Sequence, residues 1–341
     1  DGIMREPEFW WREAGIGARL LAPAAALYGT AARTRLVYPG RRATAPVICI
    51  GNLVLGGAGK TPTALAVANV LDALHEVPVF LTRGYGGALR GPIKVDAMQH
   101  RARDVGDEPL LLAQVAPTIV ARNRVAGAKA AIAAGASVIV MDDGFQNPSL
   151  HKDVSLLVID SSRAVGNGHV FPAGPLRAPL HAQLRRADAL VVVGTGDAAA
   201  NVASLAHGLH IPVFAASLQP DAGFIAALGP GRVLAFCGIG DPQKFFATLT
   251  TAGVALGEMR KFPDHHFYTR AEAQELCGRA DAEGLVLVTT EKDMARLVGN
   301  SDVADLAAQA HALPVKLVFE DEKGICEMLV ERLAAVRKHA S

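Results

Sequence analysis

Aromatic residues are scarce in this chain. They make up 5 % of its 341 residues, and only two are tryptophans, Trp10 and Trp11. There are four cysteines, Cys49, Cys237, Cys277 and Cys326, and none pairs with another at metal-ligand spacing, so no zinc site is convincing. Cys49 and Cys237 lie in apolar, strand-like runs, where buried free thiols of a reducing compartment are the expected reading. The net charge is +1, which gives no nucleic-acid signal. No run of 18 apolar residues is free of charge, which argues against a spanning helix. A secretory signal pattern is missing too, because arginines interrupt the apolar segment near the start. Alanine, valine, leucine and glycine dominate instead. That composition suits α/β architecture, and 341 residues fit two domains better than one.

One stretch organises the rest. Val47-Ile48-Cys49-Ile50 is a short apolar run, and Gly51-Asn52-Leu53-Val54-Leu55-Gly56-Gly57-Ala58-Gly59-Lys60-Thr61 follows it. Ala64, Leu65, Val67, Ala68, Val70 and Leu71 then recur at helical spacing. Strand, glycine loop and helix are the context of a phosphate-binding loop. Glycines let successive N–H groups turn inward, and the helix N-terminus adds partial positive charge. On this reading residues Val54, Leu55, Gly56, Gly57, Ala58, Gly59, Lys60 and Thr61 bind nucleotide. Lys60 reaches the β- and γ-phosphates, and the Thr61 hydroxyl ligates Mg²⁺. The usual first glycine is replaced by Val54, so a plain glycine-rich turn with an exposed lysine is the competing reading.

Residues 9–42 carry Ile16, Leu20, Ala24, Leu27 and Ala31 at helical spacing, interleaved with Arg12, Arg19, Arg33, Arg35, Arg41 and Arg42. Pro23 is expected to kink or restart the helix. A basic, tryptophan-bearing amphipathic helix suits an anionic membrane surface. A helix packed on the domain with its arginines in water fits equally, and the two readings are compatible. Strand candidates follow at 47–50, 77–82, 118–120, 138–141, 155–160, 189–193 and 213–216, with alanine-rich helices such as 126–134 between them. This is βαβ logic and implies a mostly parallel sheet covered on both faces. A second cycle runs through strands 233–236, 285–289 and 315–319, with a helix near 242–252 and another at the end of the chain. The boundary between the two falls near residue 220.

Asp142-Asp143-Gly144-Phe145-Gln146 ends the apolar run Val138–Met141. An acid at a strand end beside a phosphate loop holds Mg²⁺ directly or through water. Asp-Asp-Gly is also good turn chemistry. Gly106-Asp107-Glu108-Pro109 reads as a helix start with Asp107 as N-cap. Arg83-Gly84-Tyr85-Gly86-Gly87 is a flexible basic loop, and Phe171-Pro172-Ala173-Gly174-Pro175-Leu176-Arg177 a rigid one. His265 and His266 stand in Phe262-Pro263-Asp264-His265-His266-Phe267, where loop histidines are usually solvated.

This ordered set, together with Thr290-Glu291-Lys292-Asp293, resembles the tetraacyldisaccharide 4'-kinases, the lipid A 4'-kinases of Gram-negative bacteria, over nearly the whole chain. Asn147 departs from the histidine usual there, and residues 147–151 lack the arginines common in that segment. The resemblance implies three segments: an N-terminal amphipathic helix (1–45), a P-loop NTPase-like kinase domain (46–220), and a smaller α/β domain (221–341) that closes the active-site cleft. It implies ATP-dependent phosphorylation of the 4'-hydroxyl of an acylated glucosamine disaccharide 1-phosphate, giving lipid IVA. ATP and Mg²⁺ are the implied cofactors, and the cytoplasmic face of the bacterial inner membrane, peripherally, the implied location. No nucleic acid and no obligate protein partner are implied. The expected catalytic set is Asp107, His265, Lys60 and Asp143, the resemblance implying Asp107 as base and His265 orienting it. Thr61, Asp142, Glu108 and Gln146 form the metal shell, and Arg83, Tyr85, Arg177 and Asn52 hold substrate. The rival reading is a membrane-associated nucleotide-dependent switch or partitioning ATPase. A guanine-specific version is disfavoured, since Thr290-Glu291-Lys292-Asp293 has its lysine one place late for the Asn- or Thr-Lys-x-Asp code.

Overall fold

A computed structural model describes residues 6–340 of the chain; residues 1–5 of the expected N-terminal segment and residue 341 lie outside it. Thirteen strands are described: β1 (Val47–Asn52), β2 (Pro78–Thr82), β3 (Ile93–Lys94), β4 (Thr118–Val120), β5 (Val138–Asp142), β6 (Val154–Asp160), β7 (Ala189–Val193), β8 (Val213–Pro220), β9 (Val233–Cys237), β10 (Leu256–Lys261), β11 (Val286–Thr290), β12 (His311–Leu313) and β13 (Val315–Phe319). Nine of them form one sheet in the order β13-β8-β7-β6-β1-β5-β2-β4-β3. Its interior pairings are parallel, and only the edge pairs β3–β4 and β13–β8 are antiparallel. The remaining four, β10-β9-β11-β12, make a smaller all-parallel sheet.

The large sheet is parallel because helices return the chain between its strands, and its faces are dry because those helices cover both. Every residue of β1, β5 and β6 is buried. One face packs against helix Lys60–Ala73 and the terminal helix Glu322–Ala340. The other packs against Arg124–Ala133, Ala200–Gly208 and the end of the first long helix, Ile16–Val37. β1 lies at the centre with β5 directly beside it, Ile50 opposite Asp142. The phosphate-loop candidate and the strand-end acids therefore emerge from adjacent strands at the same edge.

Three features differ from the sequence reading. Residues 315–340 do not stay with the second unit. β13 pairs with β8, and Ile325, Leu329 and Leu333 bury themselves against the helix that follows the phosphate loop. The reason is hydrophobic: Leu317, Phe319 and that helix stripe complete a core which β8 alone leaves open. Helix Ile16–Val37 runs through Pro23 without a break. Pro23 is on the solvent face, where water can serve the Arg19 carbonyl it leaves unbonded. The same helix packs through Ala18, Ala25, Gly29, Ala32 and Leu36, whereas the larger apolar residues Ile16, Leu20 and Leu27 are 76–77 % exposed.

Candidate active site

The glycine loop curls because its own side chains fold it. Gly56 and Gly59 take φ of 93° and 88°, conformations that glycine adopts without strain. Asn52, fully buried, donates from Nδ2 to the Gly56 carbonyl at 2.9 Å. Asn52 is therefore a brace inside the loop through Nδ2, while its Oδ1 has no hydrogen-bond partner among the described residues. Lys60 opens the helix and its Nζ reaches the same Gly56 carbonyl at 3.3 Å. Val54 and Leu55 are committed elsewhere: the Leu55 N–H donates to the Pro175 carbonyl (2.8 Å), and the Val54 carbonyl accepts from Arg177 Nε (2.8 Å). Of the N–H groups expected to face phosphate, that of Leu55 is thus already bonded within the protein.

Asp142 and Asp143 stand at the end of β5. Asp142 is fully buried, and Thr61 Oγ1 approaches its Oδ2 at 3.4 Å. Its Oδ1 is buried with no hydrogen-bond partner among the described residues. Burial, with Glu108 and Asp143 nearby, pushes the Asp142 carboxyl up to about 7. A buried carboxylate oxygen without a donor beside a threonine hydroxyl fits a hard divalent cation, which would return Asp142 to its charged form. Asp143 follows with φ of 50° and turns toward Lys60 (4.0 Å) and Arg177 (3.4 Å). Burial raises its carboxyl, but Lys60, Arg177 and Arg124 outweigh burial and hold it below the ordinary value. Glu108 and Gln146, the other two residues of the expected metal shell, are each bonded to a further partner. Glu108 pairs with Lys292 at 2.6 Å. Gln146 donates to the Asn52 carbonyl (3.1 Å) and to Gln183 (3.3 Å), so it braces the loop from behind. Among the described residues, no three His, Cys, Asp or Glu side chains converge as a metal cluster.

The second unit meets the first across Asp107. Its helix begins at Asp107 itself, with Gly106 as N-cap, because Gly106 takes φ of 95° and its close approach to the Tyr85 carbonyl leaves no room for a β-carbon. Asp107 is 3 % exposed, and its Oδ2 accepts from Arg296 Nε at 2.7 Å and lies 3.3 Å from His265 Nδ1. Burial alone would raise its carboxyl, but the His265 hydrogen bond and the Arg296 charge hold it well below the usual carboxylate range. His265 moves the other way: burial lowers it, and the Asp107 contact overrides burial and raises it above 6.5. Its side chain, 23 % exposed, is the more accessible member of the pair. The carboxylate read as facing the acceptor hydroxyl is thus enclosed: Arg296 and His265 meet its Oδ2, and the Glu108 N–H donates to its Oδ1. Tyr85, exposed, has its ring 5.1 Å from the His265 ring, and Arg83 is also exposed at the end of β2. His266 turns away, stacking on Phe262 and meeting Glu272 at 3.0 Å.

Lys292 and Arg296 escaped the sequence reading as site residues. Four positions apart, they share one face of helix Glu291–Leu297, and that spacing after a strand was the available signal. Asp293, fully buried, fixes the helix by accepting from Gly238 N–H, Tyr268 Oη and Arg296. Thr290 caps it. Thr290–Asp293 thus caps its helix through Thr290 and ties it to Glu108 through Lys292. Asn147 closes a turn of its own, accepting from Ser149 N–H and Oγ at 2.9 and 2.6 Å.

A family model described as tetraacyldisaccharide-1-P 4'-kinase matches residues 17–334. A tetraacyldisaccharide 4'-kinase of Nitrobacter winogradskyi is 52 % identical over 98 % of this chain and 99 % of its own. One of Rhodopseudomonas palustris (strain BisB5) is 54 % identical over 98 % of both. Among solved structures, LpxK from Aquifex aeolicus, described as an "apo" form in complex with ATP, aligns with a TM-score of 0.70 at 27 % identity. The alignment covers 93 % of this chain and 99 % of that one.

Proposed function

The chain belongs to the tetraacyldisaccharide-1-P 4'-kinase family, and from that premise we propose how its own residues carry the reaction. It transfers the γ-phosphoryl group of ATP to the 4'-hydroxyl of a tetraacylated disaccharide 1-phosphate in lipid A biosynthesis. The observation that carries the residue assignment is the meeting of the phosphate loop, the β5 acids and the Asp107–His265 pair across the two units. Residues 56–61 cradle the phosphates, and Lys60 neutralises charge at the β/γ end. Asp143 holds Lys60 and Arg177 at the loop until phosphate competes for them. Arg177 then steadies the transferring group, and Arg83 and Tyr85 line the acceptor side. Asp142 and Thr61 hold Mg²⁺, which when bound neutralises the phosphate oxygens. The acceptor proton enters the Asp107–His265 pair and comes to rest on the imidazole, because Arg296 keeps Asp107 an anion.

The exposed apolar residues of helix Ile16–Val37, with Arg19, Arg33 and Arg35 also exposed, suit peripheral contact with an anionic bilayer at the cytoplasmic face of the inner membrane. No described helix is long and apolar enough to cross a membrane. The test of the reaction is transfer of labelled γ-phosphate from ATP to the disaccharide 1-phosphate by purified protein in mixed micelles. ATP hydrolysis without lipid phosphorylation is the result that defeats it.

A further inference from the structure

One carboxylate sits at the phosphate loop with no assigned task. Glu6 lies against Gly56, and its Oε1 occupies the space a β-carbon on Gly56 would need. Gly56 is also the residue whose carbonyl Lys60 touches, so Glu6 and the Lys60 ammonium meet the loop at the same glycine. The position is built. Trp11 Nε1 donates to Glu6 Oε2 at 3.1 Å, and Arg163 approaches the same oxygen at 3.5 Å. The Arg163 guanidinium also covers the Trp11 ring at 5.0 Å. Trp10, 3 % exposed, pins the segment by donating to the Pro172 carbonyl at 3.0 Å, in the loop that carries Arg177. Oε2 is thus held, while Oε1 has no hydrogen-bond partner among the described residues.

The surroundings select the ligand. Arg163 reaches from Glu6 to Asp241 of the second unit (3.3 Å), and Lys244 pairs with Asp160 beside it. Burial, with Asp264 and Asp241 nearby, keeps the Glu6 carboxyl above its ordinary value against the pull of Arg163. Lys60 and Arg177 gather on Asp143, whereas Glu6 stands with Asp241 and Asp264 around the cation Arg163. Three carboxylates around one guanidinium suit a neutral hydrogen-bond donor better than a further anion, and a sugar hydroxyl is such a donor.

We propose that Glu6 is an acceptor-binding residue whose free Oε1 takes a hydrogen bond from a hydroxyl of the acceptor sugar other than the one phosphorylated. This inference rests on the kinase reading and names one contact to its substrate. The contact sets the ring so that its reacting oxygen faces the γ-phosphorus, and it does so from a segment that precedes the phosphate loop in sequence.

Steady-state transfer is measured for the wild type, Glu6→Ala and Glu6→Gln, varying disaccharide 1-phosphate and ATP separately. Binding of the same disaccharide is measured in parallel with a non-hydrolysable ATP analogue present. Glu6→Ala is expected to lower kcat/KM for the disaccharide roughly 10- to 100-fold with the KM for ATP unchanged, and Glu6→Gln, which keeps an acceptor oxygen, to recover part of it. Trp11→Phe removes the donor to Oε2 and is expected to act in the same direction, more weakly. Unchanged nucleotide affinity confirms folding, and if Glu6→Ala does not fold, Glu6→Gln and Trp11→Phe decide. The proposal is overturned if the KM for ATP falls and lipid-free ATP hydrolysis rises, which would make Glu6 a guard against nucleotide. It is overturned as well if disaccharide kinetics and binding do not move. A wild type that binds the disaccharide without phosphorylating it defeats the kinase reading, and the binding difference then decides Glu6 alone.

Discussion

Asp142 and Asp143 are neighbours on one strand end, yet their surroundings drive them apart. Asp142 faces inward and meets burial and other acids; Asp143 turns out at a positive φ to meet Lys60 and Arg177. A carboxyl at about 7 in the fold and 3.8 otherwise binds more protons folded than unfolded between those values. Its stabilising contribution is present below 3.8 and is lost as pH rises through about 7. The metal-free protein should therefore melt at lower temperature at pH 8 than at pH 5. Asp142→Asn should flatten that slope, a difference on the order of a few kcal/mol by linkage. His265, raised above its usual value, adds a loss in an overlapping window, so the comparison of wild type with Asp142→Asn isolates the aspartate. Mg²⁺ at pH 7.5 should raise the wild-type melting temperature more than that of Asp142→Asn, and turnover of the variant should fall about 10²–10³-fold. Asp142, Lys60 and Thr61 were legible because strand, loop and helix fix their places locally. The bracing bonds of Asn52 and Gln146 were not legible, because their partners are backbone carbonyls and a side chain (Gln183) that no spacing announces.

Two elements at opposite ends of the chain carry more than their periodicity says. Helix Ile16–Val37 packs through small residues and Leu36 and turns Ile16, Leu20 and Leu27 outward, the reverse of an ordinary surface helix. Sequence periodicity found the large-residue face and left its destination open; only the fold assigns the alanines and Gly29 to the contact. Leu20→Glu together with Leu27→Glu should leave ATP affinity unchanged and sharply reduce co-sedimentation with anionic vesicles. Wild-type binding should weaken with salt, since each arginine near anionic lipid contributes about 1 kcal/mol. Vesicle binding indifferent to both changes would leave the helix a packing element only. The terminal helix was legible as a helix, but its partner was not. A β-α unit at the end of a second βαβ cycle looks the same whether it extends that cycle or returns to the first sheet. Its membership in the first core gives a direct check. Leu329→Ala should cost about 2–5 kcal/mol in denaturant unfolding, whereas Val330→Ala, at a position 47 % exposed, should cost far less.

The two units are joined where chemistry is expected, and the joint consists of charges paired from one unit to the other. Arg296, 1 % exposed at its side chain, needs Asp107; Lys292 pairs with Glu108; His265 lies against both sides of the joint. Removing one member of such a buried set leaves its partner uncompensated, at a cost of about 3–5 kcal/mol. Asp107→Asn is therefore the informative variant, because it keeps an acceptor for Arg296 and removes only the charge. It should lower turnover strongly with little change in ATP affinity. His265→Ala should lower turnover as well, and the double variant should be scarcely worse than the more damaging single one, because residues acting as one unit are strongly non-additive. Losses that multiply would mean that the two residues act independently. His265 should also set the acid limb of the kcat/KM profile, activity falling at low pH as protonation of the imidazole fills the nitrogen that the acceptor proton needs. The apparent pKa of that limb should drop in Asp107→Asn, because the carboxylate that raises the imidazole is gone. His266→Ala is the internal control. It loses stacking on Phe262 and the Glu272 contact, both inside the second unit, so it should reduce stability modestly while the shape of the pH profile stays as in the wild type.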